Sequence, residues 1–140
     1  MKDFVLRRVV ALLLPFIQMF GIYVIMHGHT SPGGAFAGGM VVGLGVIGFS
    51  TVFGIEQGKT KMPEHVTTIT ESYGTLWYIL MGLVGIFKGL PFLANKLAVD
   101  VGVPGELTSG GLIGLIGVGV GIRVASTMVT LFFTMMEEEA

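Results

Sequence analysis

Residues 9–26, VVALLLPFIQMFGIYVIM, form an apolar run that contains no charged side chain. An α-helix rises about 1.5 Å per residue, so about 18 such residues can cross the hydrocarbon core of a bilayer. The run is longer than the apolar core of a usual signal peptide, and no small-residue cleavage site follows it. We therefore expect it to be a retained membrane-spanning helix.

Three further runs have the length and apolar character of a membrane span. They cover residues 35–55, 69–90 and 110–136. Together with the first run they occupy most of the 140 residues, which leaves no room for a separate soluble domain. Helices satisfy their own backbone groups inside lipid. The sequence therefore predicts an all-α integral membrane protein, a single domain over residues 1–140 built as a bundle of four transmembrane helices.

The composition agrees with this fold class and excludes several functions. The chain is 52% hydrophobic and 12% charged, its mean hydropathy is +0.84, and 23 of its residues are glycine. So apolar a chain is not disordered, and a net charge of −1 gives no basic surface for nucleic acid. The absence of cysteine excludes disulfides, thiolate metal sites and cysteine nucleophiles.

Lysine and arginine in the short flanks of the runs predict the orientation of the chain. Five lie at one side of the predicted bundle (Lys2, Arg7, Arg8, Lys59 and Lys61), and Lys96 lies at the other. Because positive flanks stay in the cytoplasm, both termini are expected there, in a multi-pass protein of the plasma membrane.

Local signals suggest where the second and third spans begin and end. Ser31 and Pro32 have the residue types of an N-cap and a first helical position. Thr68 and Glu71 have the spacing of a capping box, which would open the third span, and Pro91 would close it.

Glycines recur at spacings that place them on one helix face. In lipid, such faces let helices approach closely, either within the bundle or against a neighbouring subunit. The predicted helix-packing glycines of the third and fourth spans are Gly82, Gly85, Gly89, Gly114, Gly117 and Gly121.

Four ionisable side chains are candidates for an ion path. Arg123 lies near the middle of the fourth run, and a charge there is either functional or a fixed structural partner. Lys88 either extends to the interface or lies on the path, whereas Glu71 either caps its helix or contributes to the path. His29 could respond to protons at the mouth of a path or belong to a polar turn. We expect no metal site and no cofactor, since His27 and His29 have no further ligand nearby in the sequence.

Residues 28–39, GHTSPGGAFAGG, resemble a signature of the MnhB/MrpB family, which are small subunits of multisubunit sodium/proton antiporters. Alanine at position 35, where glycine is usual, is the one mild departure. Related subunits occur in energy-converting respiratory complexes such as archaeal membrane-bound hydrogenases and sulfane sulfur reductases. The resemblance rests on Gly28, His29, Pro32, Gly33, Gly34, Phe36, Gly38 and Gly39.

The fourth run resembles the respiratory-complex members more than the antiporter members. It lacks the Pro-Leu-Leu-Phe-Asp-like stretch of the antiporter members and has Arg123 after Gly121 and Ile122. The resemblance implies an accessory subunit of an Na+/H+-translocating module in a respiratory redox complex. Such a subunit would not be catalytic alone, and its partners would be other membrane subunits, lipid and the transported Na+ and H+. The alternatives are the MnhB-type subunit of a stand-alone Mrp-type antiporter or a purely structural scaffold. A self-sufficient homodimeric exporter is disfavoured because residues 9–26 contain no acidic side chain.

Overall fold

The computed structural model describes residues 2–30, 32–94 and 109–139, so Ser31 and Lys96 lie outside the described residues. Within these ranges every regular element is a helix, and the all-α class is confirmed. The helices are α1 (Lys2–Met26), α2 (Gly34–Phe53), α3 (Ile55–Lys61), α4 (Glu64–Phe87) and α5 (Leu112–Glu138).

Three of the described helices are long and apolar enough to cross a membrane. They are α1 from Asp3 onward, α2 and α5. The 24 residues of α4 have the length of a span, but its first half is rich in threonine and carries Glu64 and Glu71. Helix α3 has seven residues and was not predicted, because its sequence has the composition of a polar loop.

The start of α2 differs from the sequence prediction. The helix begins at Gly34 with Gly33 as its N-cap, so Pro32 lies before the helix and not at its first position. Both glycines have positive φ, 87° at Gly33 and 62° at Gly34. This left-handed turn moves the start of the helix past the proline, since glycine adopts positive φ without steric cost.

Both predicted ends of the third span are also corrected. Helix α4 begins at Glu64 behind Pro63, and the hydroxyl of Thr68 donates to the Glu64 carbonyl inside the helix, so the capping box does not form. The helix ends at Phe87, before Pro91. Its end is a Schellman turn, in which Leu90 N–H donates to the Gly85 carbonyl and Gly89, with φ 73°, reverses the chain.

The long helices pack in the spatial order α1, α2, α5 and α4. Helices α1 and α2 are antiparallel, because Gly28 lies against Ala35 and Gly45 lies against Gln18. Helices α2 and α5 are parallel, since Gly39 lies against Gly121 and Gly43 lies against Ala125. Helix α4 runs antiparallel to α5, so the first residues of α1 and the last of α5 lie at the same end of the bundle.

Candidate functional site

The glycines of the 28–39 motif let α1 and α2 approach until their backbones touch. A Cβ atom added at Gly28 would lie 2.7 Å from the backbone nitrogen of Ala35. One added at Gly38 would lie 2.7 Å from the backbone nitrogen of Ile25. Contacts this short leave no room for a side chain, so the motif is first of all a close helix–helix contact.

The last glycine of the motif brings α5 into the same contact. A Cβ atom at Gly39 would lie 2.5 Å from the Gly121 carbonyl oxygen, and one at Gly121 would lie 2.8 Å from the side chain of Ile25. A Cβ atom at Gly117 would lie 3.3 Å from that of Ala35. The motif is therefore the place where α1, α2 and α5 meet.

His29 links the motif turn to the turn that precedes α5. Its Nε2 atom lies 3.0 Å from the Ser109 hydroxyl oxygen, and Gly110 allows the imidazole ring to pack against the backbone there. The ring is half-buried, at the end of the bundle opposite the chain termini. In the part of the chain that the structure describes, no three histidine, aspartate or glutamate side chains could together hold a metal ion.

Arg123 borders a groove of about 480 Å³ on the side of the bundle where α4 and α5 meet. Gly74 of α4 makes room for it, since a Cβ atom there would lie 2.8 Å from Arg123 Cβ. The groove is lined by Phe36, Gly74, Tyr78, Val120, Arg123, Val124, Thr127 and Met128. The family motif and the arginine, which are far apart in sequence, therefore share one groove through Phe36.

The guanidinium of Arg123 has no partner within the chain as described. The side chain is exposed, and it makes no hydrogen bond or ion pair with any residue of the three described ranges. An arginine remains charged in proteins. At the centre of a bilayer such a charge costs about 2.5–3.5 kcal/mol on insertion scales, so the uncovered guanidinium is unfavourable unless something outside this chain compensates it.

Glu71 lies further along the same α4–α5 contact, within hydrogen-bond distance of a hydroxyl group on α5. It is half-buried in the third turn of α4, not in the first turn, which rules out the capping role. The Thr130 hydroxyl lies 3.0 Å from the Oε1 atom of Glu71 and 3.0 Å from the Ser126 carbonyl oxygen, so these two acceptors share the single hydroxyl proton. Glu71 and Arg123 thus face the same helix pair without forming an ion pair with each other.

Lys88 and the glycines near it lie at the opposite end of α4 from Glu71. Lys88 is the C-cap residue and is exposed. The nearest contacts of Gly82 and Gly85 come from the segment that follows α4 and not from another long helix, since Phe92 lies against Gly82 and the Pro91 carbonyl lies against Gly85. Gly89 lies outside the helix, and a Cβ atom added there would meet nothing within 4 Å, so within the described chain it serves the turn and not helix packing.

Several residues of the α4–α5 contact were not found from the sequence. Trp77 donates from its indole nitrogen to the Leu115 carbonyl at 2.9 Å, and its ring lies against Gly119. Tyr78 and Thr127 line the groove. The threonines that recur three and four residues apart on α5 were a visible signal, but their partners on α4 could not be assigned without the helix pairing.

A surface ion pair joins the short helix α3 to the end of α5. Lys59 donates a hydrogen bond to the Glu137 carboxylate. This bond, more than any other interaction, raises the pKa of Lys59 above its ordinary value of 10.5. Because the pKa of Lys59 is raised, the ion pair is present throughout the neutral range and is lost only as the pH rises through the raised pKa. The pair joins α3 to α5 at the end of the bundle where α1 begins and α5 ends.

Comparisons with known proteins agree with this architecture. A chain of the membrane-bound sulfane sulfur reductase, an archaeal respiratory membrane complex, matches with a TM-score of 0.76 and 29% identity over 94% of this chain and 56% of that chain. An uncharacterized protein from Methanocaldococcus jannaschii is 28% identical over 123 residues, 85% of this chain and 47% of the relative. A Staphylococcus aureus protein named as antiporter subunit mnhB2 is 32% identical over 94 residues, 67% of this chain and 66% of the relative.

This chain therefore spans about half to two thirds of the length of these proteins. The family model described as a domain related to the MnhB subunit of Na+/H+ antiporters matches residues 5–130, nearly the whole chain. The resemblance of the glycine motif is thus confirmed, and the chain belongs to the family of domains related to the MnhB subunit of Na+/H+ antiporters.

Proposed function

We propose that this chain is an accessory membrane subunit of the Na+/H+-translocating module of a multisubunit respiratory redox complex. The observation that carries the proposal is the structural match to a chain of the sulfane sulfur reductase complex over 94% of this chain. Within such a complex the chain would help to couple electron transfer to ion movement without carrying a redox centre itself.

A second candidate is the MnhB-type subunit of a stand-alone Na+/H+ antiporter. The staphylococcal relative, which is named as an antiporter subunit, favours it. Arg123 in α5 and the match to the respiratory complex favour the first candidate. The two candidates differ in the subunits that accompany the chain.

The proposal includes four membrane spans with both termini in the cytoplasm. Helix α4 would be the fourth span, since it runs beside α5 and Glu71 in its polar first half contacts Thr130 of α5. A chain without cysteine suits a labelling test. Gln57→Cys in α3 should react with a membrane-impermeant maleimide only after cells are opened, and Pro32→Cys should react in intact cells.

Within the chain, we place Arg123 and Glu71 nearest to the ion path, because both lie on the α4–α5 contact. His29 and Lys88 remain candidates for the mouth of the path at the opposite end. Arg123→Ala separates two roles that are compatible with each other: a structural role predicts that less complex assembles, and a role in the path predicts that the complexes which still assemble lose transport.

The deciding experiment is purification of the complex through a tag on this chain, followed by identification of its subunits. Antiporter-like subunits accompanied by nickel- or iron–sulfur-containing subunits would support the respiratory complex. Antiporter-like subunits alone would support the second candidate. Reconstituted vesicles supplied with an electron donor should then show sodium-dependent ion movement, and vesicles without the donor provide the control. A chain that purifies alone would contradict both candidates.

A further inference from the structure

We propose that the groove beside Arg123 holds a transmembrane helix of a neighbouring subunit, and that this helix carries a carboxylate which pairs with the guanidinium. The inference rests on the proposed function in one respect, since it requires the chain to be part of a membrane complex. It adds which face of the chain docks, and which chemical group the partner presents.

Charge complementarity favours an anionic group as the occupant of the groove. Arg123 is exposed on the groove, and no described residue of this chain accepts a hydrogen bond from it. The groove around it is otherwise apolar apart from Tyr78 and the Thr127 hydroxyl, which already donates to the Arg123 carbonyl. A permanent cation on an apolar surface selects an anion from outside the chain.

The depth of Arg123 decides which anion can reach it. It lies eleven residues after the first residue of α5 and fifteen before the last. These spacings correspond to about 16 Å and 22 Å along the helix axis. Both exceed the reach of an extended arginine side chain, so a lipid phosphate at either surface is too far away. A carboxylate on a helix that crosses the membrane beside α5 lies at the required depth.

The shape of the groove also favours a helix as its occupant. Gly74 is buried against the Cβ atom of Arg123 and the Gly119 carbonyl, so α4 and α5 are in close contact there and no side chain of α4 protrudes from the seam at this position. Tyr78 and Thr127 line the groove together with Arg123, so a phenol and a hydroxyl also border it. The planar guanidinium can bind both oxygens of one carboxylate.

Crosslinking in the purified complex tests what occupies the groove. Tyr78 is replaced by the photoreactive amino acid benzoylphenylalanine, and the same replacement at Phe20 of α1, an exposed aromatic on the far side of the bundle, is the control. The expected adduct at Tyr78 is a membrane-spanning peptide of another subunit that contains aspartate or glutamate. An adduct with lipid, a peptide without an acidic residue, or no adduct would overturn the proposal.

Charge exchange gives a second and independent test. Removing one partner of a buried ion pair leaves the other charge uncompensated, so Arg123→Met should lower the assembled fraction by about tenfold or more, whereas Arg123→Lys should retain most of it. Replacing the crosslinked acidic residue of the partner with leucine should restore assembly when it is combined with Arg123→Met. The same replacement combined with wild-type Arg123 should lower assembly. Equal assembly of wild type and Arg123→Met would refute the pairing. If the tagged chain purifies with no other subunit at all, the proposed function fails, which is a different outcome.

Discussion

The approach of Gly39 to the Gly121 carbonyl leads to a quantitative prediction for Gly39→Ala. The added methyl group would lie 2.5 Å from the carbonyl oxygen and 3.0 Å from Val124 Cβ. Ordinary contact begins at 3.4 Å, so the distance to the oxygen is 0.9 Å too short. Neither atom can rotate away, because one is helix backbone and the other is attached directly to it. The substitution must therefore push α2 and α5 apart.

Overpacking of this kind costs about 1–3 kcal/mol. Alanine recovers up to about 1 kcal/mol through its higher helix propensity. An approach of 2.5 Å to a backbone atom belongs to the upper part of the overpacking range, about 2–3 kcal/mol, so the net loss after the gain in helix propensity is about 1–2 kcal/mol. This loss corresponds to a factor of about 5–30 in the folded-to-unfolded ratio. The matched control is Gly48→Ala in the same helix, where an added methyl group meets nothing within 4 Å. That variant should be as stable as wild type or slightly more stable.

The assay is stepwise heating of the purified, detergent-solubilised complex, followed by size-exclusion chromatography with detection of the tagged subunit. The subunit that carries Gly39→Ala should dissociate from the complex at a lower temperature than the wild-type subunit. The subunit that carries Gly48→Ala should dissociate at the wild-type temperature or slightly above it. Identical midpoints for the two variants would show that α2 and α5 are not in backbone contact at Gly39. The same result would remove the structural explanation of the last glycine of the motif.

Three further predictions concern the α4–α5 contact and the end of α4. Trp77→Phe removes the hydrogen bond to the Leu115 carbonyl but keeps an aromatic ring. Calorimetry of thermal unfolding should therefore show that the free energy of unfolding falls by about 0.5–1.5 kcal/mol. Thr130→Val removes the hydroxyl that Glu71 and the Ser126 carbonyl share, without changing the side-chain shape, and should cost about 0.5–1.5 kcal/mol. Thr130→Ser keeps the hydroxyl and should cost far less, so equal losses for the two variants would contradict the bond to Glu71. Gly89→Ala places a Cβ atom at φ 73° in open space and should cost about 1–2 kcal/mol through conformation alone, and an unchanged midpoint on stepwise heating would disprove the left-handed turn.

The sequence predicted the helices best where the apolar pattern alone determines them. Helix α2 begins one residue before its predicted start, and α5 ends two residues after its predicted end. Helix α4 begins five residues earlier than predicted, because its first two turns are polar and the burial of one side of them in the folded chain is not visible in the sequence. Thr67 illustrates this, since it is almost fully buried although its residue type is typical of a surface.

The site could be predicted in its residues but not in its arrangement. Arg123 is recognisable because a charge deep in an apolar run is costly. Its exposure is not recognisable, because it depends on which faces of α5 the neighbouring helices cover. The apolar pattern assigns Glu71 to a first turn because it starts α4 too late, and the bond to Thr130 needs the pairing of two helices that are 59 residues apart at this point.

The geometry of α5 explains why its arginine is displayed. Successive residues of a helix differ in direction by about 100°, since a turn takes 3.6 residues. Gly121 faces Ile25 of α1 and Gly119 faces Trp77 of α4, so two sectors of α5 are already covered. Arg123 is four residues after Gly119 and therefore points just beyond the sector that α4 covers, with Thr127 one turn further along. Any change that separates α2 from α5, such as Gly39→Ala, also rotates or shifts this uncovered sector. The glycine motif and the intramembrane charge are thus mechanically linked: the first sets where α5 lies, and the position of α5 sets where the second meets its neighbour.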